Sequence, residues 1–252
     1  GGEKGGEYGP YVQSERFELY KKYAFELVEK GEAYYCFCDS ERLDRIRKIQ
    51  TENKMAPGYD RNCRHLTPEE VKANLDAGKP YVIRLKVPME GVTKFHDHLL
   101  GDIEWKNEDI SPDPVLLKTD GFPTYHLANI VDDHFMKITH VMRAQEWIPS
   151  TPLHVQMYRA FGWEHPEFCH LPMVNGKDGQ KLSKRHGATA VSDFVEQGYL
   201  TEALVNFVAL LGWAPSDGEE VKPVEKIAED FRIGEISSSN SIFEYDKLKW
   251  MN

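Results

Sequence analysis

The sequence predicts an α/β fold in which a parallel, doubly wound sheet follows an α+β region and precedes a helical region. First, strand-like and helix-like segments alternate between residues 115 and 174, as in parallel strands joined by helices. Second, this alternation is absent on both sides, with short alternating strands before it and amphipathic helical segments after it. We therefore expect three structural regions after a short linker.

The composition is that of an ordinary globular protein with an acidic balance. The 252 residues are 40% hydrophobic, which is enough for the core of one large or two modest domains. The net charge is −10, so any contact with nucleic acid must come from a local basic surface. The longest apolar stretch, residues 203–214, is too short to cross a bilayer, and no apolar leader opens the chain. We expect a cytoplasmic protein that does not contact membranes.

The chain begins with a Gly-rich stretch without periodicity, residues 1–14, which predicts a linker. Ser14 is predicted to cap the first helix, whose apolar residues recur every 3.6 positions, and Gly31 to end it. A short strand at residues 33–38 and a charged helix at residues 41–52 follow. That helix is either a basic surface or a solvated helix with acidic partners; its basic side chains are Arg42, Arg45, Arg47 and Lys48.

Two pairs of potential metal ligands flank this charged helix. Cys36 and Cys38 form the first pair, and Cys63 and His65 the second. Four such ligands without an open position suit a structural, tetrahedral zinc ion. The alternative is that these residues are buried thiols beside a surface histidine, and Tyr59 could replace His65 as the fourth ligand. The remaining cysteine, Cys169, is predicted to be a core thiol, and the close spacing of the other three favours a metal in a reducing compartment over disulfides.

The α+β region continues with a capping box at Thr67 and Glu70, which begins a helix that ends near Gly78. Alternation over residues 81–87 then predicts a half-buried strand with Arg84 on its solvent side. Further on, His96 and His98 flank Asp97. Two histidines that alternate with a carboxylate are more often solvent-facing than catalytic, and we assign them no chemistry. The Pro-containing segment 111–114 marks the end of this region, which we place at residues 15–113.

The parallel sheet should bind its ligand where its strands end. The predicted strands and helices are residues 115–119, 125–136, 137–142, 152–161 and 168–174. Ligands of such sheets bind outside the carboxyl ends of the strands, and Arg143 and the loop 181–185 each follow a predicted strand. A proline at the start of the second helix and Gly162 at its end mark that helix clearly.

The loop 181–185 holds three cations in five residues, Lys181, Lys184 and Arg185, with the hydroxyl of Ser183 between them. A Gly-rich turn precedes it and lets the backbone bend around a ligand. This composition suits the phosphates of a nucleotide, although the loop lacks the Gly-Lys-Ser/Thr triplet of a Walker A motif. The alternative for a short basic cluster is a solvated surface turn.

Other polar residues of the sheet region also have structural alternatives. Tyr125 and Asn129 share one helix face and could be core polar groups, and Arg143 could form a surface ion pair with Glu146, three residues on. Trp147 could be a packing ring. We reject a metal site in the same helix, because the helix spreads the four candidate ligands over several faces; these are His126, Asp132, Asp133 and His134.

The last region, residues 188–252, is predicted to be helical. Its helices are expected at residues 191–196, 201–211 and 224–231, and an unfinished segment begins at residue 242.

Five motifs in a fixed order resemble the class I aminoacyl-tRNA synthetases, and within them the bacterial glutamyl branch. These motifs are residues 9–16, 33–38, 120–129, 143–147 and 181–185, the last similar to the family's second signature. The first signature, His-x-Gly-His, is missing. The resemblance therefore implies a central fragment that starts after this signature, stops before the anticodon-binding domain and is inactive by itself.

The resemblance also implies the role of each region. Residues 15–113 would be the zinc-bearing connective insertion that binds the tRNA acceptor end, and residues 114–187 the second half of a Rossmann-like catalytic domain. Residues 188–252 would form a helical domain that contacts the tRNA stem. The implied reaction is activation of L-glutamate by Mg-ATP to glutamyl-adenylate, followed by transfer to the 3′ end of tRNA(Glu), by a monomer. The alternatives are a paralogue that glutamylates a modified tRNA base and a non-catalytic, zinc-containing RNA-binding module.

Residue roles follow from the same resemblance. Glutamate would be bound by Tyr125, Asn129 and Arg143. The adenosine site would be lined by Glu146, Trp147 and Val174. The phosphates would be bound, and the reaction catalysed, by the loop residues Lys181, Ser183, Lys184 and Arg185, with Leu182 also contacting ATP.

Overall fold

The secondary structure consists of short strands and of helices of up to 13 residues. The structure, a computed structural model, describes residues 5–183, 185, 187 and 190–252. In chain order, its helices and strands are α1 (Phe17–Glu29), β1 (Ala33–Cys36), α2 (Ser40–Glu52), α3 (Pro68–Asp76), β2 (Val82–Leu85), β3 (Val92–Asp97), β4 (Gly101–Lys106), β5 (Val115–Leu117), α4 (Tyr125–Phe135), β6 (His140–Ala144), α5 (Thr151–Phe161), β7 (Glu167–Leu171), β8 (Val174–Asn175), α6 (Val191–Glu196), α7 (Thr201–Leu210), α8 (Val224–Asp230), β9 (Ser241–Ile242) and α9 (Tyr245–Met251).

The described residues divide into two compact units, each built from separate stretches of chain. The first unit contains the residues up to Phe95 together with Glu104–Thr139 and Pro149–Pro166. The second contains His96–Ile103, His140–Ile148 and Glu167–Asn252. The domain limits predicted at residues 14, 113 and 187 remain predictions.

Helix α1 begins later than the sequence predicted. Ser14 lies in a short 3₁₀ turn, Gln13–Glu15, and the residue that precedes the helix is Arg16, whose side chain makes no cap. Arg16 is buried, and its guanidinium donates to Asp132 at 2.7 Å and to the Pro10 carbonyl at 2.8 Å, which fixes where the helix starts. The predicted end is confirmed, since Gly31 follows the helix with a φ of 75° that favours glycine.

The ion pairs of helix α2 favour the alternative of a solvated helix with acidic partners. Three of its four basic side chains have acidic partners, namely Arg42 with Asp60, Arg47 with Asp44 and Lys48 with Glu52. Helix α3 confirms the predicted capping box, and its first residue is the predicted proline.

An antiparallel sheet in the order β1-β2-β5 forms the centre of the first unit. This corrects the prediction that residues 115–119 belong to the parallel sheet, because β5 pairs antiparallel with β2. Alternation along the chain does not specify which strands pair, and here the partner lies about 30 residues upstream. Helices α1 and α4 pack on this sheet around a core that includes Tyr20, Leu27, Ile83, Leu116, Leu127 and Ile130.

Arg84 of β2 is buried, whereas the sequence placed it on the solvent side. Its guanidinium donates to the Asp113 carbonyl at 2.9 Å and lies 3.8 Å from the centre of the Tyr59 ring. The Asp113 carboxylate is fully buried and accepts from Arg64, from the Tyr34 hydroxyl and from a backbone amide. A buried guanidinium such as that of Arg84 needs hydrogen-bond acceptors or aromatic rings around it. The residues that provide them, Asp113 and Tyr59, are not adjacent to Arg84 in sequence.

The second unit contains the parallel strands that the sequence predicted. Strands β6 and β7 pair in parallel from His140↔Glu167 to Ala144↔Leu171. Strand β3 joins β7 in parallel through Asp97↔Phe168, which gives the strand order β4-β3-β7-β6. The prediction of a parallel sheet is thus confirmed for β6 and β7 and was wrong for β5. Cys169 of β7 is fully buried, which confirms the predicted core thiol, and burial raises the pKa of this thiol to about 11.

The predicted helices of the last region are present as α6, α7 and α8, with limits that differ from the prediction by at most one residue. Helices α6, α7 and α9 contribute to a small core formed by Phe194, Phe207, Phe243 and Leu248. Strand β8 pairs in parallel with β9 through Val174↔Ser241. None of the described helices is long and apolar enough to cross a membrane.

Candidate functional site

Arg143 lies at the carboxyl end of a parallel strand pair in the second unit. It is the penultimate residue of β6 and pairs with His170 of β7. The sequence placed Arg143 just after a strand at residues 137–142, so the strand is shifted by about two residues, but the position at the carboxyl edge is confirmed. Side chains at this edge of an α/β sheet are those that usually bind ligands.

Two buried side chains orient Arg143 from behind. Its Nε donates to His170 Nε2 at 3.2 Å, and His170 Nδ1 lies 2.7 Å from Asp97 Oδ2. Both His170 and Asp97 are fully buried. Because His170 Nε2 accepts from Arg143, its proton is on Nδ1 and points to Asp97, which is the neutral tautomer. Burial, which lowers the pKa of His170, favours the same neutral form.

Sequence reasoning missed this arrangement. Asp97 was taken as part of a solvent-facing group, and His170 was not singled out. The available signal was the alternation of β3, in which Thr93, Phe95 and Asp97 share the buried face. His96 is exposed as expected, whereas His98 is only partly exposed.

The cationic loop is attached to the second unit by backbone hydrogen bonds. Lys181 forms an antiparallel bridge with Asn175, and the Leu182 amide donates to the Val174 carbonyl at 2.9 Å. The preceding turn is closed by a hydrogen bond from the Gly179 amide to the Gly176 carbonyl, and the φ of 74° at Gly179 explains the glycine there. The predicted Gly-rich approach to the loop is therefore confirmed.

Some of the predicted ATP-binding residues of this unit contact one another or Arg143. Lys181 Nζ contacts the Glu146 carboxylate at 2.6 Å. The Arg143 guanidinium lies over the Trp147 ring, with Cζ 5.7 Å from the ring centre. Glu146 thus contacts Lys181 and not Arg143, contrary to the alternative of a surface pair between neighbours in sequence. Arg185 lies 3.9 Å from a carboxylate oxygen of the preceding turn. Ser183 is partly buried, and Lys184 lies outside the described residues.

Tyr125 and Asn129 lie in the first unit, at the start and middle of α4. Asn129 Nδ2 donates to the Tyr125 hydroxyl at 3.3 Å, so the predicted shared helix face is confirmed. Tyr125 is 48% exposed, which argues against a core role. Asn129 Oδ1 is buried and has no hydrogen-bond partner within the described part of the chain, so a ligand donor could satisfy it.

The other polar residues of α4 are dispersed, as predicted. Each has its own partner: His126 contacts His154 at 3.0 Å, Asp132 binds Arg16 and Tyr20, Asp133 contacts Tyr158, and His134 stacks on Trp163.

The three cysteines of the first unit that were predicted to bind metal come together. Sulfur atoms of Cys36, Cys38 and Cys63 all lie within 4.8 Å of one another, and the Cys38–Cys63 distance is 3.5 Å. The Tyr59 hydroxyl lies 3.2 Å from Cys36 Sγ and 3.7 Å from Cys38 Sγ. His65 is exposed and is not a member of this group. The cluster therefore comprises three thiols and a phenol.

The chemistry of this cluster fits a zinc ion. A hydrogen bond between Cys36 and Cys63 raises the pKa of Cys36 to about 12 and lowers that of Cys63 to about 6. The lowered pKa of Cys63 favours the thiolate, which is the form that binds metal. With Zn–S distances of about 2.3 Å, sulfurs in a tetrahedral site lie about 3.8 Å apart. The 3.5 Å between Cys38 and Cys63 is close to that spacing.

Comparison with known proteins decides the family. The family described as "tRNA synthetases class I (E and Q), catalytic domain" matches residues 3–250. The chain belongs to this synthetase family.

Relatives within the synthetase family share most of this sequence. The chain is 68% identical to a glutamate–tRNA ligase of Treponema denticola over all 252 residues, which is 50% of that protein. It is 54% identical to one of Fusobacterium nucleatum over the same length, 49% of that protein. The chain thus spans about half the length of the curated relatives it matches.

A solved synthetase structure has the same fold. The crystal structure of a glutamate tRNA ligase from Elizabethkingia meningosepticum, in complex with its amino acid, superposes with a TM-score of 0.92 and 38% identity. It covers the whole of this chain, which corresponds to 55% of that protein. The mixed and parallel sheets described above are therefore those of a synthetase catalytic domain.

Proposed function

We propose that this chain belongs to an enzyme that activates L-glutamate with ATP and transfers it to the 3′ end of tRNA(Glu). The observation that supports this most strongly is the 68% identity, over the whole chain, to a protein named as a glutamate–tRNA ligase. The proposed reaction needs a carboxylate-binding group and a cationic loop for phosphates, and Arg143 and residues 181–185 offer these groups.

Arg143 is proposed to bind the side-chain carboxylate of glutamate. A guanidinium matches a carboxylate with two parallel hydrogen bonds, whereas glutamine offers one acceptor oxygen and would oppose a donor to a donor. The Asp97–His170 pair restricts the orientation of Arg143 through its Nε. Tyr125 and Asn129 are proposed as further glutamate-binding residues, as the resemblance implies.

Lys181, Lys184 and Arg185 are proposed to neutralise the ATP phosphates, and Ser183 to donate a hydrogen bond to them. The glutamate α-carboxylate attacks the α-phosphorus, the bond from this phosphorus to the bridging oxygen breaks, and pyrophosphate leaves. Such a reaction needs positioning and charge neutralisation more than a protein nucleophile. Glu146, Trp147, Val174 and Leu182 are proposed to contact the rest of the nucleotide, and Mg²⁺ would accompany ATP. The Lys181–Glu146 contact would keep the lysine near the phosphates before they bind.

The zinc proposed for the first unit would be structural. Cys36, Cys38 and Cys63 would provide three ligands. The fourth is proposed to be His65, as the sequence spacing suggests, with Tyr59 as the alternative supported by its position among the sulfurs. Residues 15–113 are proposed to bind the tRNA acceptor end, residues 114–187 to form the catalytic half and residues 188–252 to contact the tRNA stem.

The test is a chimera in which this chain replaces the matching half of the Treponema denticola relative. Transfer of labelled glutamate to tRNA is measured with and without ATP, and with glutamine as a competitor. We expect ATP-dependent charging with glutamate. A folded chimera that does not charge tRNA would contradict the proposal.

A matched pair of lysines tests the loop within the same chimera. Lys181 and Lys177 are both exposed and both pair with a carboxylate, at 2.6 and 2.7 Å. Only Lys181 belongs to the proposed phosphate loop. We expect Lys181→Ala to lower kcat by about 10²–10³, as is typical for loss of one charge-stabilising donor, and Lys177→Ala to change it little. If Lys181→Ala and Lys177→Ala lowered kcat equally, the proposed role of the loop in phosphate binding would be contradicted.

A further inference from the structure

His98, His140 and Glu167 place three metal-binding side chains together in the second unit. His140 and Glu167 are the first residues of β6 and β7 and pair with each other across the two strands. His98 follows the end of β3, and its amide donates to the Phe168 carbonyl at 2.9 Å. One ligand atom from each of the three side chains lies within 4.8 Å of the other two.

The distances are close to those of a metal site. His140 Nε2 lies 3.6 Å and His98 Nε2 2.5 Å from the same Glu167 carboxylate oxygen. With metal–ligand distances of about 2.0–2.2 Å, neighbouring ligands in a tetrahedral site lie about 3.4 Å apart. The first distance already fits. The second must lengthen by about 1 Å, which rotation of the Glu167 side chain allows because that side chain is 61% exposed.

The backbone holds these residues in place before any ion binds. Two of the three Cα atoms are fixed opposite each other by the β6–β7 register, and the third follows a strand that pairs with β7. The His98 and His140 rings are nearly parallel, with an interplanar angle of 24° and centres 5.8 Å apart. The Nε2 atoms of both rings lie near the same carboxylate oxygen of Glu167.

This cluster is separate from the proposed glutamate and ATP residues. It lies at the amino end of β6, three residues before Arg143, and strands rise about 3.3 Å per residue, so the two lie about 10 Å apart along the strand. It also differs from the cysteine cluster, because its donors are imidazole and carboxylate and it lies in the other unit.

We propose that His98, His140 and Glu167 bind a divalent transition-metal ion such as Zn²⁺, with water completing the coordination. Two imidazoles and one carboxylate suit Zn²⁺, Ni²⁺, Co²⁺ and Fe²⁺ and do not suit Mg²⁺ or Ca²⁺. The three ligands come from chain positions up to 69 residues apart. A bound ion would therefore link the turn between β3 and β4 to the start of β6 and β7.

The proposal is tested by counting zinc ions on the 252-residue chain. The chain is stripped with a chelator, carries no affinity tag, and is dialysed against Zn²⁺ before elemental analysis. His140→Ala tests this site, Cys38→Ser tests the cysteine cluster, and the double variant tests both. Loss of an outer-shell partner alone typically costs about 10–100-fold in metal affinity, so loss of His140 should cost at least as much.

We expect two ions on the unaltered chain, one on each single variant and none on the double variant. His96→Ala is the matched control, because His96 belongs to the same hairpin but pairs with Asp102 outside the cluster. It should keep both ions. Glu167→Gln, which keeps the shape of the side chain, should also lose one ion, and circular dichroism checks that each variant is folded.

The proposal is overturned if His140→Ala and Glu167→Gln bind as many ions as the unaltered chain. In that case the cluster is an ion pair between His98 and Glu167 with a neighbouring histidine. Failure of the cysteine site gives a different result, in which Cys38→Ser has no effect while His140→Ala still loses its ion. The two zinc proposals can therefore fail independently.

Discussion

Arg143 is the residue whose proposed role is easiest to test. Truncation to alanine should raise KM for glutamate and lower kcat/KM by up to about 10⁴-fold, because it removes a paired, desolvated carboxylate contact. ATP binding should change little. The measurement is steady-state charging of tRNA by the chimera at varied glutamate concentration.

The control for this substitution is Arg232→Ala, since Arg232 is an exposed arginine of the same unit whose guanidinium donates to the nearby Glu229 and Phe231 backbone carbonyls. It should leave glutamate kinetics unchanged. If a folded Arg143→Ala chimera also has unchanged kinetics, Arg143 does not bind the substrate.

His170 makes the stability of the chain depend on pH. Its pKa is lowered in the folded state, first because it is buried, while in the unfolded chain it titrates near 6.5. The unfolded state therefore binds more protons below that pH, and this contribution to stability, complete above pH 6.5, is lost as pH falls towards the folded pKa. One such group changes the unfolding free energy by at most about 1.4 kcal/mol per pH unit.

Urea unfolding between pH 7.5 and 5.5 tests this. We expect the free energy of unfolding to fall more steeply with acid in the unaltered chain than in His170→Gln, which cannot titrate. His96→Gln is the control, because that histidine is exposed, and it should keep the steep dependence. Identical slopes for all three proteins would show that His170 does not titrate differently on unfolding.

At the scale of single elements, the sequence predicts a feature correctly when all of its contacts lie within a few residues of one another. The predicted capping box of α3 is formed, since Thr67 Oγ1 accepts from the Glu70 amide at 3.2 Å and Glu70 accepts from the Thr67 amide at 2.8 Å. Thr67→Ala should therefore lower the free energy of unfolding by about 1 kcal/mol, while Thr67→Ser should keep it. Equal losses in urea unfolding for both variants would argue that the cap contributes nothing.

Pairing between distant elements was the part that the sequence could not specify. The limits of α6 and α7 follow from periodicity and turn residues within the segments, and they were predicted to within one residue. The partner of β5 and the burial of Arg84 depend on contacts with residues about 30 positions away. Periodicity within one segment contains no information about such partners.

The candidate site shows the same division. Arg143 and Lys181 were found from chemistry and position at predicted strand ends. The Asp97–His170 pair behind Arg143 was missed, because its two members are 73 residues apart and look like ordinary core or surface residues when read singly. The sequence left His65 and Tyr59 as candidates for the fourth ligand of the three cysteines, and only the structure shows that the Tyr59 hydroxyl lies near two of the sulfurs.

On the scale of the whole molecule, each unit is built from non-contiguous stretches and has its own apolar core. The core of the first unit includes Tyr20, Ile83 and Leu127, and that of the second Phe194 and Phe207. The cysteine cluster and both candidates for its fourth ligand belong to the first unit alone. Loss of a metal from this cluster should therefore act on one unit only.

Removal of the proposed zinc should loosen residues 33–65 without unfolding the rest of the chain. Structural zinc stabilises small finger peptides by about 10–16 kcal/mol, and these unfold without it because they have no other core. Here the sheet β1-β2-β5 packs on helices through an apolar core that contains none of the proposed metal ligands, so the loss of structure should stay local.

Hydrogen exchange with and without a chelator measures this local loosening. Amides of residues 33–65 should exchange at least about tenfold faster, equivalent to about 1.4 kcal/mol of protection, while those of α7 should not change. Tyr59→Phe and His65→Ala, compared for zinc content, identify the fourth ligand. Unchanged exchange in a chain shown by elemental analysis to have lost its metal would contradict a structural role for zinc.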